Sequence, residues 1–262
     1  MKWIEIPAPQ VSKLAKELQV VLLPMGSIES HGPHMPSGVD AYTSEGLALE
    51  AAKIEKAVVL PPLFYNAESP GKTLPGSNLP YGDAFISFPP SLVKAILRQL
   101  CLEVARIGFS KMLVVAAHGP SQVSLNLLQY ELQEEALALE RTGEKAPIVT
   151  WLWIGSLTDE AAREVGLDTH HGGGAETALT AACAPGLVDL EMARTLAPYD
   201  PQPQTIPGLR YIHNWQRTAP YGYQGDPAAA TIEKGKYILE AGAKKLAALI
   251  RRFKEYDLGK DV

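Results

Sequence analysis

Residues 20–40 read Val20-Val21-Leu22-Leu23-Pro24-Met25-Gly26-Ser27-Ile28-Glu29-Ser30-His31-Gly32-Pro33-His34-Met35-Pro36-Ser37-Gly38-Val39-Asp40. The opening run is apolar without alternation, the pattern of a strand buried on both faces of a parallel sheet. The glycines and prolines after it read as a loop leaving that strand. Open α/β sheets carry their chemistry outside the carboxyl ends of their strands. This loop holds Glu29, His31, His34 and Asp40, and imidazoles and carboxylates are the side chains that bind zinc, manganese and similar ions. Glu29 and His31 are two apart, so an extended backbone points both to one side. Asp40 can return to them through turns at the intervening glycines and prolines. A loop of this composition is also compatible with plain solvated surface, so its meaning depends on what converges with it.

Two further clusters fit the same pattern. His170-His171-Gly172-Gly173-Gly174-Ala175-Glu176-Thr177 brackets a histidine pair with glycines that let the backbone come close to a ligand. Glu176 falls in the first turn of the helix read from there, where the helix dipole favours a carboxylate even without a ligand. His118 follows the apolar run Met112-Leu113-Val114-Val115-Ala116-Ala117 and precedes Gly119-Pro120-Ser121, with Ser121 expected to cap the next helix. Of the 6 histidines, only His213 lies outside these clusters.

The whole chain, 1–262, reads as a single α/β domain of alternating strands and helices. Strands are expected at 20–25, 57–60, 111–117 and 147–154, and helices at 41–54, 91–107, 121–141, 158–165, 176–184, 189–196 and 229–256. Trp151 and Trp153 share one side of a strand and read as core packing. Two proline-rich stretches, 61–90 and 198–228, are long for plain connections and read as lids, binding loops or oligomer contacts. The second also carries Tyr211, His213, Trp215, Tyr221 and Tyr223.

Composition excludes more than it selects. Hydrophobic residues make up 46% of the 262, ordinary for a globular protein. The net charge of −5 without a basic run argues against nucleic acid as a partner. No apolar stretch approaches the roughly 20 residues that span a membrane, and the N-terminus lacks the apolar core of a signal peptide. Cys101 and Cys183 both fall on apolar helix faces, which suits free thiols in a reducing cytoplasm.

The motif Gly26-Ser27-Ile28-Glu29-Ser30-His31-Gly32-Pro33-His34-Met35-Pro36, followed by Asp40, resembles the signature of the creatininase (creatinine amidohydrolase) family. His171-Gly172-Gly173-Gly174-Ala175-Glu176-Thr177 is similar to that family's second signature, and the order of strands and helices agrees from about Ile4 to Phe253. The resemblance implies a three-layer α/β/α fold with a mostly parallel sheet, a homo-oligomer (a hexamer in most members), and two divalent metals per chain, zinc and/or manganese, with iron possible. It implies Glu29 and His118 as ligands of one metal, His31 and Glu176 as ligands of the other, and Asp40 as the bridge between them. His171 matches a histidine beside the scissile bond, and His34 a position that supports ligands or substrate. The family's middle motif, Asn-Gly-His-Gly-Gly-Asn, is here Ala116-Ala117-His118-Gly119-Pro120-Ser121. In the creatinine-specific branch a glutamate two residues after the histidine is a ligand. Pro120 has no such group, which speaks against creatinine as substrate.

The implied function is a metal-dependent hydrolase that opens a small cyclic amide or cleaves a formamide-like C–N bond. Two ions roughly 3.5–4 Å apart would acidify a water held between them, and His171 would protonate the leaving nitrogen. Two alternatives stand beside it: a metal-dependent hydrolase, lyase or isomerase acting on an oxidised cyclic sugar of the keto-inositol type, and a non-catalytic metal-binding relative.

Overall fold

In a computed structural model of the chain, which describes residues 1–67, 85–140, 148–201 and 219–257, four strands form one parallel sheet. They are β1 (Val20–Met25), β2 (Val58–Val59), β3 (Lys111–Ala116) and β4 (Ile148–Trp153), in the order β2-β1-β3-β4. Alternate side chains of each central strand enter different cores. Val20 and Leu22 of β1, with Leu113 and Val115 of β3, face one core; Val21, Leu23 and Met25, with Met112 and Val114, face the other. Both faces are covered, which is why neither strand alternates with polar residues.

Helices α2 (Val39–Ile54), α5 (Gly155–Glu164), α6 (Gly174–Cys183) and α8 (Ile232–Glu255) supply the first core. Helices α1 (Ala8–Leu18), α3 (Pro90–Ile107) and α4 (Ser121–Glu140) supply the second. The molecule is therefore the three-layer α/β/α fold expected. Cys101 is buried and Cys183 half-buried, and both are free thiols; burial, with Glu50 nearby, pushes the Cys183 thiol up to about 12.

Several expectations need correction. The helix α1 was not anticipated, although Val11, Leu14, Ala15 and Leu18 stand at helical spacing. The helix α2 starts at Val39, so Asp40 lies in its first turn and not in the loop. Ser121 is the first residue of α4 instead of its cap, and its hydroxyl accepts from Asn66 Nδ2 at 2.6 Å. The helix α7 is a single turn, Leu190–Ala193, capped by the Asp189 side chain. β4 is an edge strand, half-buried throughout. Trp151 packs on the second core, but Trp153 lines a cleft instead. The central parts of both proline-rich stretches, with Tyr211, His213 and Trp215, lie outside the described residues.

Two features fix the geometry around the site. The chain leaves β1 toward β2 on one side, while β3 lies on the other, so the carboxyl ends of β1 and β3 flank a topological switch point. At Gly26 a Cβ would stand 2.2 Å from the Ala41 amide nitrogen. Only glycine lets the start of α2 lie against the end of β1, and this contact delivers Asp40 to the site. At the opposite end of the sheet, the buried Lys111 ammonium donates to the carbonyls of Phe253, Lys254 and Tyr256 at 2.7, 2.6 and 2.7 Å. It ties the end of α8 to the start of β3.

Candidate metal centre

The ends of β1 and β3, the first turn of α2 and the first turn of α6 bring Glu29, His31, Asp40, His118 and Glu176 together. They form two triads, Glu29/Asp40/His118 and His31/Asp40/Glu176, whose ligand atoms lie within 4.8 Å of one another in each. Asp40 belongs to both, and its two oxygens divide between them. Oδ2 stands 3.2 Å from His118 Nδ1, and Oδ1 stands 3.3 Å from His31 Nε2. Ser27 Oγ donates to Asp40 Oδ2 at 2.8 Å, holding the carboxylate in this orientation. Glu29 Oε1 approaches His118 Nδ1 to 2.7 Å, and Glu176 Oε2 approaches His31 Nε2 to 3.6 Å.

The backbone sets the tautomers. His118 Nε2 lies 2.9 Å from the Ala67 carbonyl and His31 Nδ1 lies 3.3 Å from the Glu29 carbonyl. A carbonyl only accepts, so these nitrogens carry the hydrogens. The opposite nitrogens, His118 Nδ1 and His31 Nε2, then face carboxylate oxygens. His31 Nε2 is buried with no hydrogen-bond partner. Two rings whose remaining lone pairs face carboxylates need a cation at each position, whether proton or metal. The donor set of imidazole and carboxylate suits divalent ions of the zinc and manganese type, so the residues fit the implied group. Burial opposes charge on His31, but Asp40 and Glu176 beside it outweigh that and hold its pKa above the usual value. Burial likewise opposes ionisation of Asp40, yet the two imidazoles keep its carboxyl well below the usual range.

The glycine loop places the other two sequence candidates. His171 stacks on His31, and its Nε2 lies 2.9 Å from the Ser30 carbonyl. Glu29, His31 and His171 form a third grouping within 4.8 Å, so His171 stands beside the two triads. Gly172, at φ +65°, donates its N–H to Glu176 Oε2 at 2.7 Å and so aims that carboxylate. His34 does not join the cluster of ligand atoms. Its Nε2 pairs with Thr177 Oγ1 at 2.8 Å and its ring meets the edge of Tyr223. His170 points away, half-exposed, toward Asp168.

Sequence reasoning passed over three residues that shape the site: Ser27, Thr177 and Asp168. Ser27 and Thr177 sit inside the two quoted motifs, where hydroxyls next to candidate ligands were the available signal. Asp168 lies just outside the second and had none, while Tyr223 comes from the aromatic-rich 198–228 stretch already singled out as a lid, binding loop or oligomer contact. Beside Glu176 a cleft opens, lined among others by Thr43, Trp153, Thr158, Asp159 and Thr169. Burial raises the Asp159 carboxyl above its ordinary pKa, against the pull of Arg163.

The chain is similar to known proteins over most of its length. The family model for creatininase, described as creatinine amidohydrolase, matches residues 5–250. A creatinine amidohydrolase of Pseudomonas putida is 26% identical over 248 residues, 88% of each chain. A mycofactocin precursor peptide peptidase of Mycolicibacterium smegmatis is 25% identical over 256 residues, 92% of this chain and 88% of its own. Among solved structures, a creatininase named for manganese superposes with a TM-score of 0.77 at 24% identity, covering 96% of this chain and 97% of that one. A mutant creatininase of Zn–Zn type reaches 0.78 at 24% identity and the same coverage.

Proposed function

Because the chain belongs to the creatininase family, we propose that it is a dinuclear metal-dependent amidohydrolase of small molecules. The observation that carries the dinuclear reading is Asp40, whose two oxygens serve one triad each. A pair of divalent ions, when bound, supplies Lewis acidity toward a carbonyl and toward water. Manganese and zinc are the candidates, since similar structures are named for each.

The chain's own residues do the rest. The Ala67 and Glu29 carbonyls hold His118 and His31 in the tautomers that present lone pairs inward. Ser27 keeps the Asp40 carboxylate straddling the two triads. The Gly172 amide holds Glu176 toward His31. His171 lies over this group, where an imidazole can hand a proton to a departing nitrogen near neutral pH. The proposed substrate is a small cyclic amide or a formamide-like compound. Relatives named for creatinine and for a peptide support the C–N bond class without selecting one substrate. Pro120, standing where the resemblance places a ligand of the creatinine-specific branch, argues against creatinine. The assembly is proposed as a homo-oligomer, a hexamer by resemblance.

Elemental analysis of the purified protein tests the reading, together with a screen of lactams, formamides and oxidised cyclitols. Close to two divalent ions per chain are expected. Asp40→Asn should lose both, because each triad contains this residue. Full metal content in Asp40→Asn would refute the bridge.

A further inference from the structure

We propose that Asp168 is the positioning residue of the glycine loop, a clamp that sets the orientation of Glu176 and so tunes the His31/Asp40/Glu176 triad alone. The inference rests on the dinuclear reading above and concerns a residue that supplies no ligand atom to either triad.

The carboxylate of Asp168 gathers backbone amides from three places. Oδ1 accepts from His170 N at 3.0 Å; Oδ2 accepts from Gly174 N at 3.0 Å and from Asp226 N at 2.9 Å. Its own carbonyl accepts from Ala175 N at 3.0 Å. One side chain therefore pins both ends of the 170–174 loop, the first turn of α6, and the segment entering the 3-10 turn Pro227–Ala229. The helix α6 has no side-chain cap from its own N-cap residue, Gly173; Asp168 provides the acceptor from six residues upstream.

The clamp also accounts for glycines here. A Cβ at Gly173 would stand 2.1 Å from Asp168 Oδ1, and one at Gly225 would stand 2.0 Å from the same atom. On sequence, Gly173 read as letting the backbone come close to a ligand. In the structure the group nearest to a Cβ at Gly173 and at Gly225 is the Asp168 carboxylate.

Between the pinned ends lie His171 and Gly172, the residues that touch the metal centre. Gly172 N holds Glu176 Oε2, and the His171 ring lies on His31. Releasing the clamp frees the amide that aims Glu176. The Glu29/Asp40/His118 triad stands on the segments leaving β1 and β3 and on the first turn of α2, and none of the hydrogen bonds of the clamp reaches it. The consequence of losing Asp168 is therefore one-sided.

Stepwise titration of metal-stripped protein with Mn²⁺, monitored by calorimetry, tests this on wild type, Asp168→Asn and Gly173→Ala. Asn keeps the volume but turns an NH₂ toward amide donors. Gly173→Ala pushes on the carboxylate, its nearest neighbour, and less closely on the Gln224 carbonyl at 2.9 Å, at a φ of −83° that alanine accepts. Expected in both variants is one step with wild-type affinity and one weakened about 10–100-fold, the usual effect of removing a group that orients a ligand. Melting of the stripped proteins is followed in parallel. A merely structural role would lower the melting temperature and leave the ratio of the two affinities unchanged, and that result overturns the proposal. If Asp168→Asn fails to fold, Gly173→Ala decides by the same criterion. A wild-type chain that takes up fewer than two ions overturns the dinuclear reading and this inference with it, a result separable from the others because it needs no variant.

Discussion

The imidazoles of His31 and His171 stack with their centroids 4.1 Å apart and their planes 25° from parallel. His31 presents an unpartnered buried nitrogen to two carboxylates, while His171 is tethered through Nε2 to the Ser30 carbonyl. The two rings touch, yet the proposal gives them different work. His171→Ala should leave the metal content nearly intact and lower turnover by about 10²–10⁴-fold, the range for a positioned acid or base. His118→Ala should lower metal content and turnover together, because His118 Nδ1 faces both Glu29 and Asp40. Elemental analysis and single-turnover kinetics on both variants separate the roles. A His171→Ala protein without metal would make His171 a ligand, as its grouping with Glu29 and His31 also allows.

Metal affinity should depend on pH through His31. Burial works against its charge, but Asp40 and Glu176 prevail and raise its pKa above the usual value. In metal-free protein His31 therefore holds its proton beyond the pH at which a free imidazole loses it, and an ion must displace it. Affinity at the His31/Asp40/Glu176 triad should rise with pH, by at most about tenfold per unit while the ring is protonated, and then level off. Titrations between about pH 6 and pH 8 check this; an affinity that is flat or falls with rising pH would remove His31 from the ligands.

His34 predicts the acid limb of stability. Burial, aided by the nearby His31, lowers its pKa to about 4. Unfolded, the ring titrates near 6.5. Between those values the unfolded chain binds a proton that the folded chain refuses, so stability falls as pH drops from about 6.5 to about 4, and this contribution is constant above. The steepest slope is about 1.4 kcal/mol per pH unit. Urea unfolding of metal-free wild type and His34→Gln across this range should show a shallower decline in the variant. Equal slopes would mean that His34 takes up its proton as readily in the fold as in the unfolded chain.

Lys111 offers a control far from the chemistry. Its ammonium donates to three carbonyls at the end of α8 while its ring-side neighbour Phe253 lies 5.7 Å away. Lys111→Met keeps the apolar stem and removes the donors, and should cost about 2 kcal/mol of unfolding free energy, typical of hydrogen bonds to a charged group. Metal content and turnover should not change. A loss of metal in this variant would show that the far end of the sheet couples to the site.

Much of the fold was readable before any coordinates. Apart from Lys111, the runs at 20–25 and 111–117 are apolar throughout, because each face of β1 and β3 is covered by helices. The edge position of β4 was not readable. All its residues but Thr150 are apolar, yet the strand is half-buried; composition records that a side chain prefers to leave water, not how many neighbours it finds. The helix α1 was legible from the spacing of Val11, Leu14, Ala15 and Leu18, but polar residues and a proline at its start surround that stripe.

The sequence by itself supplied the candidates: Glu29, His31, Asp40, His118 and Glu176 stood out with their neighbouring histidines by residue type and spacing, the resemblance singled out these five as ligands, and their side chains converge. The resemblance implied how they divide into two groups; only the tertiary structure shows the contacts that produce the division. That division depends on the register of β1 against β3, which sets His118 level with the exit of β1, and on Gly26, which admits the first turn of α2 and with it Asp40. It depends equally on Asp168, whose carboxylate joins segments 58 residues apart in the chain. Hydrophobic period and residue type are local properties and survive in the sequence. Which oxygen meets which nitrogen is fixed by contacts between distant segments, and no local pattern encodes it.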